Sequence, residues 1–168
     1  AFAATGVVVA TAFGPSQFSE RLLATIFGPG PQEASPALFT ESVASAAAAQ
    51  VALNFKALGP SVTLVQRESG GLLALGEGAR LVASGRAERV LVGAVDELTP
   101  LLHAVLDRFR ALARADSRGE ECARPFDRNR SGFVLAEGAA VLVLESEDAA
   151  RARGAQRLCR ILATGAGF

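Results

Sequence analysis

The sequence has no tryptophan, tyrosine or methionine, and holds only two cysteines, one histidine and one lysine in 168 residues. Each scarcity closes a class of function. Two cysteines, Cys122 and Cys159, cannot staple a disulfide scaffold, and they fit a reducing, cytoplasmic setting. A lone histidine, His103, and the lack of any His/Cys/Asp/Glu cluster at ligand spacing give no metal site. Charge of neither sign is in excess, with 17 basic and 17 acidic side chains and a pI near 6.9, so there is no basic footprint for nucleic acid. No run of about 18 apolar residues escapes a charge or turn signal, which argues against a membrane span. Neither Gly-x-Gly-x-x-Gly nor a phosphate loop occurs, and no cofactor is expected. Residue 1 has no signal-peptide pattern after it. With no methionine anywhere, the chain reads as a processed product or a fragment.

What the sequence does have is alanine, 34 residues, and arginine, 16 of its 17 basic side chains. Both look like compositional bias. Its length suits one domain with a substantial core, or part of a larger one. Short β-branched runs alternate with longer helical stretches, which predicts an α/β layered domain.

Gly6 to Ala10 reads as a buried strand ended by Gly14-Pro15, and Gln17 to Phe27 as a helix. From Thr40 to Leu58, Val43, Ala47, Val51 and Phe55 recur every four residues and predict one helix face. Ser61 to Gln66 is a second strand and Gly70 to Ala83 a helix, with Leu72, Leu75, Ala79 and Val82 as its apolar side. Gly76 and Gly78 within it should each cost about 1 kcal/mol relative to alanine, and tight packing would be a reason to keep them. Arg89 to Val95 is a third strand, with an acidic corner at Asp96-Glu97. Further expectations are a helix over Leu101–Arg114, a polar irregular stretch over Ala115–Ser131, and strands at Phe133–Leu135, Ala139–Leu144 and Arg157–Thr164. Ser146 should cap a short helix with Glu147 and Asp148 in its first turn.

The segment Gln66-Arg67-Glu68-Ser69-Gly70-Gly71 joins a strand to a glycine-led helix. Such an elbow exposes one side chain at a helix N-terminus, where unpaired amides favour negative charge, and enzymes place nucleophiles there. Glu68 or Ser69 would take that place. The plainer alternative is an ordinary turn with Glu68 as a first-turn carboxylate and Ser69 as a cap. Asp96 and Glu97 could be a general acid and base, but neighbours on a strand end point apart.

Around this elbow the sequence resembles the β-ketoacyl synthases, the thiolase-fold condensing enzymes. Gly59-Pro60-Ser61-Val62-Thr63-Leu64 and the elbow are similar to the nucleophile region, and Gly93-Ala94-Val95-Asp96-Glu97 to a family strand and corner. The likeness is strongest at Ala123-Arg124-Pro125-Phe126-Asp127, at Ser131 to Ala139, and at Val141-Leu142-Val143-Leu144-Glu145. It covers nearly the whole chain.

The resemblance implies a thiolase-like layered α/β fold, with residues 1–168 forming most of an N-terminal half, incomplete at its start and without the C-terminal half. It places the family's nucleophilic cysteine on Glu68, with Ser69, Gly70 and Gly71 beside it, and Leu38 and Phe39 near the end of an acyl tunnel. The family strand matching Ser61, Val62, Thr63, Leu64, Val65 and Gln66 pairs across a dimer, and the alanine-rich helix would help form the tunnel floor. A thiolate can hold an acyl chain as a thioester; a carboxylate is weakly nucleophilic and would form a labile anhydride. Two family histidines drive decarboxylation, and His103 matches neither.

The resemblance therefore implies a chain-length-factor-type subunit: a non-catalytic partner of a ketosynthase, in a heterodimer that shapes the acyl tunnel of fatty acid or polyketide biosynthesis. Its other partner would be an acyl carrier protein, which Arg124, Asp127, Arg128 and Arg130 could contact if they do not simply pin their own loop. The alternative is a fragment of an active acyltransferase or decarboxylase whose histidines lie outside this chain. A third reading is a degenerate scaffold whose elbow is only structural.

Overall fold

The computed structural model describes residues 4–115 and 119–166. At its centre, β1 (Thr5–Thr11) is buried along its whole length. Three valines and an alanine explain this: Val8 and Ala10 face one side of the sheet and Val7 and Val9 the other. Strand β2 (Ser61–Val65) pairs parallel to β1 on one flank, and β3 (Arg89–Asp96) pairs parallel on the other. Antiparallel to β3 runs β4 (Gly138–Glu145), giving a mixed sheet of order β2-β1-β3-β4. Gly93 permits that last pairing at close range, because a Cβ there would lie 2.8 Å from the Ala140 carbonyl oxygen.

One helix packs on each face of the sheet, and β4 is left largely exposed. Between β1 and β2 come α1 (Ser16–Phe27), α2 (Pro36–Glu41) and α3 (Ala46–Phe55). Ala48 of α3 and Ala57 beyond it pack on Val7 and Val9, with Ala47, Val51 and Ala52 around them. The predicted single helix from Thr40 is thus two helices. Thr40 and Ser42 turn their hydroxyls back onto the Ala37 and Phe39 carbonyls, and the chain turns over 42–45 before α3 begins. Of the predicted face, Ala47 and Val51 meet the core, whereas Val43 and Phe55 are exposed.

On the opposite face, α4 (Gly70–Ala83) packs against β1 and β3. Its buried stripe is Gly70, Ala74, Gly78 and Leu81, not the predicted one; Leu72 is 74% exposed, while Leu75 and Val82 flank the core. Small residues set this stripe because the helix lies nearly in contact with the sheet. A Cβ at Gly78 would overlap the Val92 Cγ2 methyl, whereas one at Gly76 would only touch Thr164 at 3.6 Å.

After β3, α5 (Pro100–Arg108) is capped by Thr99, whose hydroxyl accepts the Leu102 amide at 3.2 Å. It ends well short of the predicted Arg114, because Arg110 turns left-handed (φ 56°) and the Ala111 amide closes on the Leu106 carbonyl. The predicted strand at Phe133–Leu135 is a single bridge to Leu112, where Gly132 (φ 153°) lies against the Leu112 backbone. Ser146 caps α6 (Glu147–Ala152) as expected, accepting the Ala149 amide at 3.2 Å. The predicted strand over Arg157–Thr164 is irregular. Arg157 reaches Glu147 at 2.8 Å, and Leu158 and Leu162 remain over 80% exposed at 83% and 84%. An extended segment needs a neighbouring strand to satisfy its amides, and among the described residues none flanks it.

Candidate functional site

The chain leaves β1 toward the α3 face and leaves β2 toward the α4 face, so the connections of two adjacent parallel strands diverge. In open α/β sheets, the crevice at the carboxyl ends of such strands is where ligands bind. The elbow lies at this point. Gln66 leaves β2 with its amide donating to the Thr11 carbonyl at 3.1 Å, tying the elbow to the end of β1. The next amide, of Arg67, is held by the Gln66 side-chain oxygen at 2.9 Å. The Arg67 guanidinium stands 5.8 Å from the centroid of the Phe13 ring, in the loop that follows β1.

Residues 67–69 form the turn, and Glu68 within it is exposed. Ser69 occupies the N-cap position of α4, yet its hydroxyl makes no capping bond. The Ser69 cap is therefore not formed, and among the described residues no side chain is hydrogen bonded to the first amides of α4. Gly70 and Gly71 let α4 begin directly above the sheet. Cβ atoms there would lie 3.2 Å from the Ala10 Cβ and 3.6 Å from the Ala94 Cβ. The result is an exposed carboxylate beside a helix N-terminus, with an arginine stacked next to it.

The other candidates are placed elsewhere. Leu38 and Phe39 sit on α2, which packs against α1; Leu38 is half-buried and Phe39 59% exposed. Ser61 to Val65 form β2, an edge strand whose second side carries no partner among the described residues. His103 is exposed on α5. Cys122 and Cys159 are exposed free thiols outside the elbow. Asp127 organises its own loop: its carboxylate accepts the Asn129 amide at 2.6 Å and its carbonyl accepts from Arg130 Nη1 at 3.1 Å. Glu137 accepts the Leu98 amide at 3.1 Å. Among the described residues there is no cluster suited to a metal ion, and no helix is long and apolar enough to cross a membrane.

The acidic corner does more than two carboxylates at a strand end imply. Asp96 and Glu97 do point apart, but onto one loop. Asp96 accepts from Thr11, Ala12 and Phe13, while Glu97 accepts the Gln17 amide at 2.6 Å and the Ser16 hydroxyl at its carbonyl. The only signal in the sequence was an acidic pair directly after an apolar strand. Next to these groups lies a cleft of about 230 Å³ between Phe18, the start of α3 and the end of β3, with Gln50 and Glu41 hydrogen bonded at 2.9 Å on its wall.

Residues 2–150 match the N-terminal domain of the β-ketoacyl synthases. The chain is 34% identical over 152 residues to a 3-oxoacyl-[acyl-carrier-protein] synthase 2 of Synechocystis, covering 90% of this chain and 36% of that protein. It is 39% identical over 125 residues to the ketoacyl synthase alpha subunit of the tetracenomycin polyketide synthase of Streptomyces glaucescens, covering 74% and 29%. Among solved structures, it superposes with a TM-score of 0.75 and 27% identity on a β-ketoacyl synthase from Burkholderia phymatum, covering 92% of this chain and 38% of that one. The chain thus spans roughly a third of the length of these relatives. Its four-stranded sheet between two helical layers is the N-terminal part of a thiolase-like fold, and the chain belongs to the β-ketoacyl synthase family.

Proposed function

We propose that this chain belongs to a chain-length-factor-type subunit, a non-catalytic ketosynthase-like protein that pairs with an active ketosynthase and shapes its acyl tunnel. One observation carries the reading: the position that the family resemblance gives to the nucleophile holds the exposed carboxylate of Glu68. Condensation by acyl transfer needs a nucleophile that displaces a thiol from an acyl thioester, stores the acyl group, and then releases it to a carbon nucleophile. A thiolate does this with exchange of one thioester for another. A carboxylate in its place would yield an anhydride that water destroys. An ionised group at this point would also repel an enolate oxygen, where a carboxamide could donate to it.

In this reading β2 contributes an edge of the subunit interface, through Ser61, Val62, Thr63, Leu64, Val65 and Gln66. Its second side carries no partner among the described residues and its side chains are half-exposed, and both features support that assignment. Leu38 and Phe39 of α2 would approach the tunnel, and acyl chains would arrive on an acyl carrier protein. A type II polyketide synthase ketosynthase solved with its acyl carrier protein is similar to this chain at 30% identity and a TM-score of 0.76. The reaction class is acyl transfer in fatty acid or polyketide biosynthesis, performed by the partner's thiolate, in the cytoplasm.

The second reading is a part of an active acyltransferase or decarboxylase with histidines outside these residues. It is favoured by the names of the relatives, which are synthases, and by the third of their length that the chain spans. Native mass spectrometry of the full-length protein, purified from its source, separates the two. A one-to-one complex with a larger, cysteine-bearing ketosynthase supports the first. A homodimer that condenses or decarboxylates malonyl groups without another ketosynthase overturns it.

A further inference from the structure

Asp96 ends β3 with its carboxylate turned toward the end of β1. A single oxygen, Oδ1, accepts from the Thr11 hydroxyl at 2.9 Å, the Ala12 amide at 2.8 Å and the Phe13 amide at 3.2 Å. Two consecutive amides and a hydroxyl converging on one oxygen form a backbone nest, a concavity that selects a full negative charge. In this protein the anion is supplied from within, by a residue more than 80 positions along the chain.

The nest is connected to the elbow by two further contacts. Thr11, whose hydroxyl feeds the nest, receives the Gln66 amide on its carbonyl at 3.1 Å. Phe13, whose amide closes the nest, lies under the Arg67 guanidinium. Both residues that lead into Glu68 therefore rest on residues that Asp96 holds in place. The Thr11 hydroxyl also accepts the Gly14 amide at 2.8 Å, so the loop is fixed through its turn. Glu97 grips the loop farther on, at the first turn of α1, and touches neither Thr11 nor Phe13 in any of its hydrogen bonds.

We propose that Asp96 is a positioning residue for the elbow: its charge fixes residues 11–13 and, through Gln66 and Arg67, sets the orientation of the side chain at position 68. The proposal rests on the elbow being the functional site, but not on the kind of chemistry done there. Asparagine at 96 keeps an acceptor oxygen and loses the charge; alanine leaves the nest empty. Phe13→Leu keeps the nest and removes the ring beneath Arg67.

The test uses Glu68→Cys in the full-length protein, purified with whatever subunit accompanies it, and reads the rate at which iodoacetamide alkylates the thiol at position 68. Peptide mass spectrometry follows that rate, with the exposed thiols of Cys122 and Cys159 as internal standards in the same molecule. Asp96→Asn and Asp96→Ala should each change the position-68 rate at least threefold against those standards, the alanine variant more. Phe13→Leu should shift it in the same direction, and adding it to Asp96→Ala should add little. Glu97→Gln should leave it unaltered. Should Asp96→Ala not fold, Asp96→Asn decides. An unchanged position-68 rate in folded Asp96→Asn and Phe13→Leu proteins overturns the proposal. A failed subunit pairing would appear in the native mass instead, and would leave this result standing.

Discussion

Gly76 and Gly78 are two positions apart on α4, and the structure assigns them opposite responses to the same substitution. Alanine at either site gains about 1 kcal/mol of helix propensity. At Gly76 the new methyl meets Thr164 at 3.6 Å, an ordinary contact, so the gain should survive as about 0.5–1 kcal/mol of added stability. At Gly78 it overlaps Val92 Cγ2 and stands 3.1 Å from Leu144 Cδ1. Val92 is 2% exposed and β-branched, so it has neither space nor a free rotamer to yield. Overpacking of this kind costs about 1–3 kcal/mol. The propensity gain is common to both variants and cancels in their difference. That difference should be about 1–3 kcal/mol, with Gly78→Ala the less stable. Urea unfolding of the full-length protein, followed by far-ultraviolet circular dichroism, would read it as a shift in midpoint at unchanged slope. Equal stabilisation by both substitutions would refute the close approach of α4 to β3.

Three other outcomes follow from described contacts. Thr99→Ala should cost about 1 kcal/mol, because Thr99 is 1% exposed and its hydroxyl caps α5; a thermal melt reads the loss. Glu145, 7% exposed, is held below the usual carboxylate range first by its hydrogen bond to Arg153 and then by Arg89. A depressed folded pKa means this stabilisation is present above the unfolded value near 4.3 and is lost as pH falls through the folded one. Glu145→Gln should therefore destabilise by about 1 kcal/mol at neutral pH, discounted because Arg153 is half exposed, and the deficit should narrow below about pH 4. Glu68→Cys alone should produce no condensation product when assayed without another ketosynthase, and detectable carbon–carbon bond formation would remove the subunit reading.

Local periodicity was enough to locate β1, β2, β3, β4, α1, α4 and α6, because each has its own alternation, cap or glycine boundary. What it could not reveal depended on neighbours. The α4 stripe is not legible because leucine counts as apolar whether or not a sheet lies under it, and glycine counts as a breaker even where it is the only residue that fits. The strand expected over Arg157–Thr164 has the right composition, but composition supplies no pairing partner. At the elbow, Glu68 was legible as an exposed side chain at a helix start. Its support was not, because the link from Asp96 to Thr11 and Phe13 spans more than 80 residues and leaves no pattern in either segment.

The central position of β1 also sets the order in which the protein can be made. All its ladder partners are downstream: β2 begins at Ser61, and β3 ends at Asp96. At roughly 5–20 residues per second, a ribosome needs several seconds to bring those partners out. Throughout that interval Val7-Val8-Val9 is a short apolar β-forming run without either of its ladder partners. Pairing across such separations is slow, since loop closure precedes any reward. Nascent chains halted between β1 and β3 should thus be the species most dependent on a chaperone, and most ready to aggregate.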